Sequence, residues 1–119
     1  MIYYAFNPQT ELIKIGQTSD VKARIATLNS LYQATMCVLG IHKGELLDEQ
    51  ELHIQFYESV TDEEWFKPTD DLIEFIETHH DDVLFREIVG DNPDVRSFGL
   101  LASRINFGKT PSLRDYMQT

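Results

Sequence analysis

Five side chains in the first half of the chain carry groups that suit chemistry on a phosphate ester: Tyr3, Lys14, Arg24, Glu49 and His53. A guanidinium is a planar donor fork that matches phosphate oxygens, and a carboxylate is a hard oxygen ligand of the kind that Mg²⁺ takes. A phenol can take a proton from water only when nearby cations lower its pKa from the usual value of about 10. Because Glu49 and His53 are one helical turn apart, they share a helix face. This spacing makes it feasible that Glu49 and His53 contribute to the same site.

The pattern of apolar residues predicts the elements that would position these side chains. Residues 2–6 are β-branched and aromatic and predict a strand, and residues 12–16 alternate like the return strand of a hairpin. A residue that can cap a helix precedes an amphipathic segment over 21–29, which contains Arg24. The apolar run 35–42 predicts a third strand that is buried on both faces.

Further helical patterns follow the third strand. The segment 45–58 has two neighbouring faces, one with Leu47, Ile54 and Tyr57 and the other with Glu49, Leu52, His53 and Phe56. Residues 70–80 predict another helix, and residues 82–89 are a short apolar strand or helix. Asn92 before Pro93 is a typical helix start and predicts a last helix.

These elements predict an α+β domain. Its centre would be a small three-stranded antiparallel sheet, made of the hairpin and the third strand, with helices flanking it and one helix at the C-terminus. We expect a domain over 1–89 and a helical extension over 90–119 that packs on it. The single cysteine, Cys37, lies among apolar residues, which favours a core position and excludes an internal disulfide framework or a cysteine-based zinc knuckle.

The hairpin and the segments after it resemble the GIY-YIG nuclease superfamily. Ile2-Tyr3 stands where that family has Ile-Tyr, and Ile15-Gly16 stands where it has Ile-Gly. The similarity is closer to a phage-type subgroup in which the second motif reads Lys-Ile-Gly and a Thr follows, as in residues 14–18 here. The subgroup's Glu-x-x-Leu-His-x-x-Phe and Glu-Trp-Phe segments correspond to residues 49–56 and 64–66.

The resemblance implies a small metal-dependent DNA endonuclease that cleaves phosphodiester bonds through one Mg²⁺ or Mn²⁺ ion and direct attack by water. Tyr3 would polarise or deprotonate the water, Arg24 would bind the phosphate, and Glu49 would be the metal ligand. Lys14 and His53 complete the implied catalytic set through phosphate contact or proton transfer. The side chains implied to contact nucleic acid are Lys14, Lys22, Arg24 and Lys43.

Two positions depart from the family pattern. Met1 stands where the first motif begins with Gly, and Lys14 stands where the second begins with Tyr. Lys14 would then either supply the cation that lowers the pKa of Tyr3 or bind phosphate itself. The family's late Asn has two candidate positions, Asn92 and Asn106, and the pattern favours neither.

Charge is distributed unevenly along this chain of net charge −10. Residues 1–44 hold four basic and two acidic side chains, residues 45–94 hold two and 17, and residues 95–119 hold four and one. Proteins that coat phosphates are normally basic, so the acidic segment keeps two alternatives open. One is a catalytically inactive nucleic-acid-binding protein of the same fold. The other is an acidic, DNA-mimicking inhibitor of a host DNA-handling protein, and the same segment would suit a homodimer or a host partner.

The remaining sequence features predict a soluble intracellular protein with no membrane association, and the resemblance implies the cytoplasm of a bacterial or phage-infected host cell. No apolar run approaches the ~18 residues of a membrane span, and no basic region precedes the apolar N-terminus. His79-His80 followed by Asp81-Asp82 does not favour a metal site, because adjacent residues point in different directions on a helix.

Overall fold

The computed structural model describes residues 1–62 and 64–88, which form an α+β domain around one antiparallel sheet. The strands of this part of the chain are β1 (Ile2–Asn7), β2 (Leu12–Gln17), β3 (Cys37–His42), β4 (Val60–Asp62) and β5 (Trp65–Phe66), in the order β3-β1-β2-β5-β4. Its helices are α1 (Val21–Tyr32), α2 (Leu46–Gln55), α3 (Asp70–His79) and α4 (Asp82–Ile88), with a 3₁₀ turn at Tyr57–Ser59.

The prediction of a three-stranded sheet is wrong, because β5 and β4 extend the sheet to five strands on the β2 side. Strands of two and three residues are too short to show the period-two pattern, so pairing with a neighbour forms them rather than local propensity. The pairing of β5 with β2 covers Ile13↔Phe66 and Lys14↔Trp65 and then stops. Residues 15–17 therefore lie beyond the end of β5, and we refer to them as the open end of β2.

The hairpin of β1 and β2 is confirmed, and its turn sets the register on which the candidate site depends. Asn7 Oδ1 accepts a hydrogen bond from the Gln9 backbone N–H at 2.9 Å, and the Glu11 N–H donates to the Asn7 carbonyl at 2.7 Å. Glu11 takes a left-handed φ of 59° to close the turn. The resulting register places Tyr3 opposite Gly16.

Side chains alternate along β1 and pack into two separate cores, one on each face of the sheet. Tyr3 and Ala5 lie in the core formed with α1 and α4, which also contains Val21, Ile25, Leu28, Met36, Val38, Ile41, Trp65 and Phe85. Ile2, Tyr4 and Phe6 lie in the core formed with α2 and α3, which also contains Ile13, Ile15, Cys37, Leu39, Leu52, Phe56, Phe66, Leu72, Ile73 and Ile76. The sheet is thus covered by helices on both sides.

Helix α1 begins where the sequence predicts and ends three residues later than predicted. Asp20 caps it, with its Oδ1 accepting from the Ala23 N–H at 3.1 Å. The helix runs to Tyr32 because Gln33 adopts a left-handed φ of 51° and closes the last turn. Val21 and Ile25 are buried against the sheet, whereas Arg24 lies on the exposed side.

Helix α2 is shorter than the predicted 45–58, since it ends at Gln55 and the 3₁₀ turn follows. Glu45 and Asp48 form a capping box at its start. Of the two predicted faces, the one with Leu52 and Phe56 packs into the core. The other face leaves Leu47, Ile54 and Tyr57 exposed to solvent.

The last described elements settle one open prediction, because residues 82–88 of the segment predicted as strand or helix form helix α4. Before it, Thr69 caps helix α3 by accepting a hydrogen bond from the Leu72 N–H at 3.3 Å. No helix in the described part of the chain is long and apolar enough to cross a membrane. The predicted helix that starts at Asn92, and the extension over 90–119, lie outside the described residues.

Candidate active site

Tyr3 lies on β1 with its ring across the backbone of Gly16, on the sheet face that α1 covers. A Cβ atom built at position 16 would overlap the Tyr3 Cζ and Oη atoms. Because no other residue lacks a Cβ, glycine at this position is what lets the phenol reach over the open end of β2. This packing gives a physical reason for the Gly of the second motif, which the sequence spacing alone did not provide.

The Tyr3 hydroxyl is buried and has no hydrogen-bond partner among the described residues. Burial raises the pKa of Tyr3 to about 12, and the charge of the nearby Arg24 guanidinium counteracts part of this rise. Arg24 approaches the hydroxyl without reaching the geometry of a hydrogen bond. The carboxylates of Glu64 and Glu49 also lie close enough to raise the same pKa. Three charged side chains therefore converge on one unsatisfied hydroxyl.

Arg24 reaches this hydroxyl from α1, whose opposite side is anchored in the core by Val21, Ile25 and Leu28. Its side chain is exposed, and no carboxylate within residues 1–62 and 64–88 forms an ion pair with it. An exposed guanidinium beside a buried hydroxyl can bind an anion without first breaking a salt bridge.

Glu49 reaches the same region from α2, on the other side of the sheet. Its side chain is only 12% exposed, and its Oε1 lies 4.0 Å from His53 Nε2. His53 Nε2 is also 2.9 Å from the carbonyl oxygen of Ile15, and because a carbonyl only accepts, this ring nitrogen carries the hydrogen. The His53 ring packs 5.2 Å from that of Phe66. His53, one helical turn after Glu49, thus links α2 to the open end of β2 by a hydrogen bond.

Lys14 is buried, with a side chain only 9% exposed, and it forms an ion pair with Glu64. Its Nζ lies 5.9 Å from the centre of the Trp65 ring. Within this pair it is the Glu64 carboxylate whose negative charge raises the pKa of the Tyr3 hydroxyl. Sequence reasoning missed Glu64 as a site residue, although its position beside Trp65 in the Glu-Trp-Phe segment was a usable signal.

The other two lysines of the implied nucleic-acid contact set, Lys22 and Lys43, are exposed. No ion pair within the described residues involves either of them. Both are free to contact a polyanion, but neither is among the groups that the structure brings to Tyr3.

The donor set around Tyr3 limits the kind of metal site that these residues can form. The described residues contain no cluster of three or more His, Cys, Asp or Glu side chains that could hold a metal ion by themselves. Mg²⁺ is commonly bound by one or two carboxylates, with water and substrate phosphate as the other ligands. The largely buried carboxylate of Glu49, whose charge acts on the pKa of the unpartnered Tyr3 hydroxyl, fits that pattern.

Comparison with known proteins identifies one family. The family model of the T5orf172 domain matches residues 1–80, a stretch that includes every side chain described above. No curated protein and no solved structure matches the chain. The match covers more than half of the sequence, and the chain therefore belongs to the phage-associated T5orf172 domain family.

Proposed function

We propose that this protein is a GIY-YIG-type DNA endonuclease that hydrolyses a phosphodiester bond with the help of one divalent metal ion. The observation that carries the proposal is the buried Tyr3 hydroxyl, which has no partner among the described residues and whose pKa responds to the charges of Arg24 and Glu49. Membership of the T5orf172 domain family supports a phage-type, nuclease-related role.

Tyr3 would act on the attacking water. Burial is the main cause of the raised Tyr3 pKa of about 12, so the hydroxyl keeps its proton at neutral pH. Cancelling the charge of Glu49 removes one of the effects that raise this pKa, and the Arg24 guanidinium already lowers it. To act as the base, Tyr3 would first release its own proton to solvent. The phenolate would then accept the proton of the attacking water as the new O–P bond forms and the bond from phosphorus to the 3′ oxygen breaks, and the 3′ oxygen would take a proton from solvent.

Arg24 would bind and orient the phosphate. Its planar fork donates two parallel hydrogen bonds to non-bridging oxygens, which fixes the phosphorus near Tyr3 and stabilises the charge that develops on those oxygens. The exposed position of Arg24 on α1 makes this contact accessible to a duplex or a single strand.

Glu49 is the residue that would hold Mg²⁺ or Mn²⁺. When bound, the ion would supply a Lewis acid that polarises the phosphate and stabilises the leaving 3′ oxygen. Glu49 presents its carboxylate from α2, and His53 supports that placement through its hydrogen bond to the Ile15 carbonyl. In this proposal His53 is a positioning residue.

The experiment is a plasmid-nicking assay in Mg²⁺ or Mn²⁺ with a matched pair of substitutions on α2. Glu49→Gln should lower the nicking rate by about 100-fold or more, because it removes the metal ligand with little change in shape. Glu51→Gln, at an exposed position on the same helix, should stay within about threefold of the unmodified protein. Absence of cleavage on any DNA or RNA, or equal nicking by Glu49→Gln, would refute the proposal.

A second candidate function is nucleic-acid binding without cleavage. Two observations favour it: Lys14 is neutralised by Glu64, and the Tyr3 hydroxyl is held in its protonated form. A gel shift that weakens steeply with salt, in protein that does not nick DNA with either ion, would select this function over the first.

A further inference from the structure

We propose that Glu64 is a positioning residue of this site, whose carboxylate holds the Lys14 ammonium at the end of β5 and withholds it from a phosphate bound at Arg24. The inference rests on the proposed function, because it assumes that a nucleic-acid phosphate occupies that place. It assigns a role to the Glu of the Glu-Trp-Phe segment, and it changes the role expected of Lys14.

The position of Lys14 in the sheet explains why Glu64 is its ion-pair partner. Lys14 lies opposite Trp65 in the register of β2 and β5, and its ammonium is near the Trp65 ring. Its side chain is almost fully covered. A buried ammonium needs a partner because desolvation of an unpaired charge is costly. Glu64, which directly precedes Trp65 in the chain, supplies that partner.

Glu64 differs from Lys14 in exposure and in what it faces. Its side chain is 47% exposed, and its backbone carbonyl accepts a hydrogen bond from the Ile15 N–H at 3.4 Å. Its carboxylate is also the member of the pair that acts on the Tyr3 hydroxyl. Glu64 therefore lies at the boundary between the covered Lys14 ammonium and the open end of β2.

The consequence concerns how the protein engages a polyanion. A solvent-exposed lysine side chain near Arg24 would add one phosphate contact. Each such contact steepens the dependence of the logarithm of the DNA-binding constant on the logarithm of the salt concentration by about 0.9. With Lys14 held by Glu64, Arg24 is the only cation in the described part of the chain that makes the contact near Tyr3. The Lys22 and Lys43 side chains are then the remaining exposed cations of the implied contact set.

The first arm of the test needs no nucleic acid. Brief acetylation of the full chain with acetic anhydride, read residue by residue by mass spectrometry, should modify Lys14 more slowly than the exposed Lys22 and Lys43. In Glu64→Gln the Lys14 rate should rise about threefold to fivefold while the other two rates stay constant. An unchanged Lys14 rate in Glu64→Gln would mean that burial alone protects the ammonium, and would overturn the proposal.

The second arm measures binding to a DNA duplex as a function of salt. Glu64→Gln should bind more tightly and steepen the salt slope by about 0.9, Lys14→Met should leave the slope unchanged, and the double variant should show no steepening. A shallower slope for Lys14→Met would show that Lys14 already contacts phosphate, which contradicts the proposal. Absence of DNA binding by every variant would refute the proposed function and the withholding role, whereas the first arm would still report the ion pair.

Discussion

Tyr3 and Tyr4 are consecutive residues of one strand, and they show the contrast between the two faces of the sheet. Both side chains are completely buried, and burial raises the pKa of both hydroxyls above the usual range. Tyr4 Oη is 2.7 Å from His42 Nε2, whereas Tyr3 Oη has no partner in the described part of the chain. His42 Nδ1 donates to the Lys43 carbonyl at 2.9 Å, so Nε2 accepts and the Tyr4 hydroxyl donates.

The two hydroxyls show where a buried polar group is structural and where it is available for chemistry. On the α2–α3 face the Tyr4 hydroxyl is satisfied within the protein, which fits a core position. On the α1–α4 face the Tyr3 hydroxyl is unsatisfied at the open end of β2, although leaving a buried hydroxyl unpaired costs about 1–3 kcal/mol. The charges of Arg24, Glu49 and Glu64 surround only this second hydroxyl. We infer that Tyr3 takes its partner from a substrate.

Arg24→Ala is expected to have the largest effect on the α1 face. Loss of the guanidinium removes the only cation that lowers the pKa of Tyr3 among the described groups, and it removes the phosphate contact. Nicking should fall by about 100-fold to 1,000-fold, measured as the rate of plasmid relaxation. Arg86→Ala, at an exposed position on α4 where the side chain pairs with Asp82, is the control and should change the rate little. A similar loss in both variants would indicate a general charge effect instead.

Gly16→Ala is expected to displace the Tyr3 ring, because the new methyl group would occupy the space that the ring fills. Its Cβ would overlap the Tyr3 ring, and displacing that ring should cost about 1–3 kcal/mol in the free energy of unfolding and about 100-fold in nicking. Gly44→Ala is the matched control, because its Cβ would meet Ile2 in the opposite core. Urea unfolding should show both variants destabilised, while only Gly16→Ala should lose activity beyond its unfolded fraction. Equal specific activities of the folded fractions would contradict the assignment.

The same comparison shows how far the sequence predicts this molecule. The hairpin and α1 were predictable because the segments 2–6, 12–16 and 21–29 are strongly patterned and a residue that can cap a helix precedes the last of them. The two-residue strand β5 was not, because pairing with β2 creates it. The Lys14–Glu64 ion pair spans 50 positions and depends on that strand, so no local pattern contained it. The candidate site residues could be selected from motifs, whereas the difference between Tyr3 and Tyr4 depends on the three-dimensional packing of the sheet.

Tyr4→Phe should have a smaller effect, confined to stability. Removing the hydroxyl leaves His42 Nε2 without its donor and should lower the free energy of unfolding by about 0.5–1.5 kcal/mol, measured by urea denaturation. The Tyr3→Phe variant, whose lost hydroxyl has no partner among the described residues, should be at least as stable as the unmodified protein. A greater loss of stability in Tyr3→Phe than in Tyr4→Phe would reverse the structural roles assigned to the two hydroxyls.

The smallest expected effect is a pH dependence of stability that arises from His42, the partner of Tyr4, and from His80. Burial lowers the pKa of His42 and of His80, so both rings are neutral in the folded state at pH values where they take up protons when unfolded. Stability should therefore be full above pH 6.5 and decrease as the pH falls below it. Urea unfolding at several pH values should detect the decrease.

His80→Asn tests the cause of this pH dependence. The His80 Nδ1 accepts a hydrogen bond from the Ile41 N–H at 3.1 Å, and an asparagine oxygen can accept in the same place without titrating. The variant should show a weaker decrease of stability below pH 6.5. His79→Gln, at an exposed position, should keep most of it, because burial rather than the His79 charge is the main cause of the lowered His42 pKa. An unchanged slope in His80→Asn would assign the effect to other groups.

The most direct test of the central claim is to nick supercoiled plasmid with the unmodified protein, Tyr3→Phe and Tyr4→Phe, in Mn²⁺ at one pH and equal folded concentration. The two substitutions remove the same atom from neighbouring residues of one strand. We predict that Tyr3→Phe loses about 100-fold or more in rate and that Tyr4→Phe stays within about threefold of the unmodified protein. Equal rates for the two variants, or a greater loss in Tyr4→Phe, would contradict the assignment of Tyr3 as the residue that acts on the attacking water.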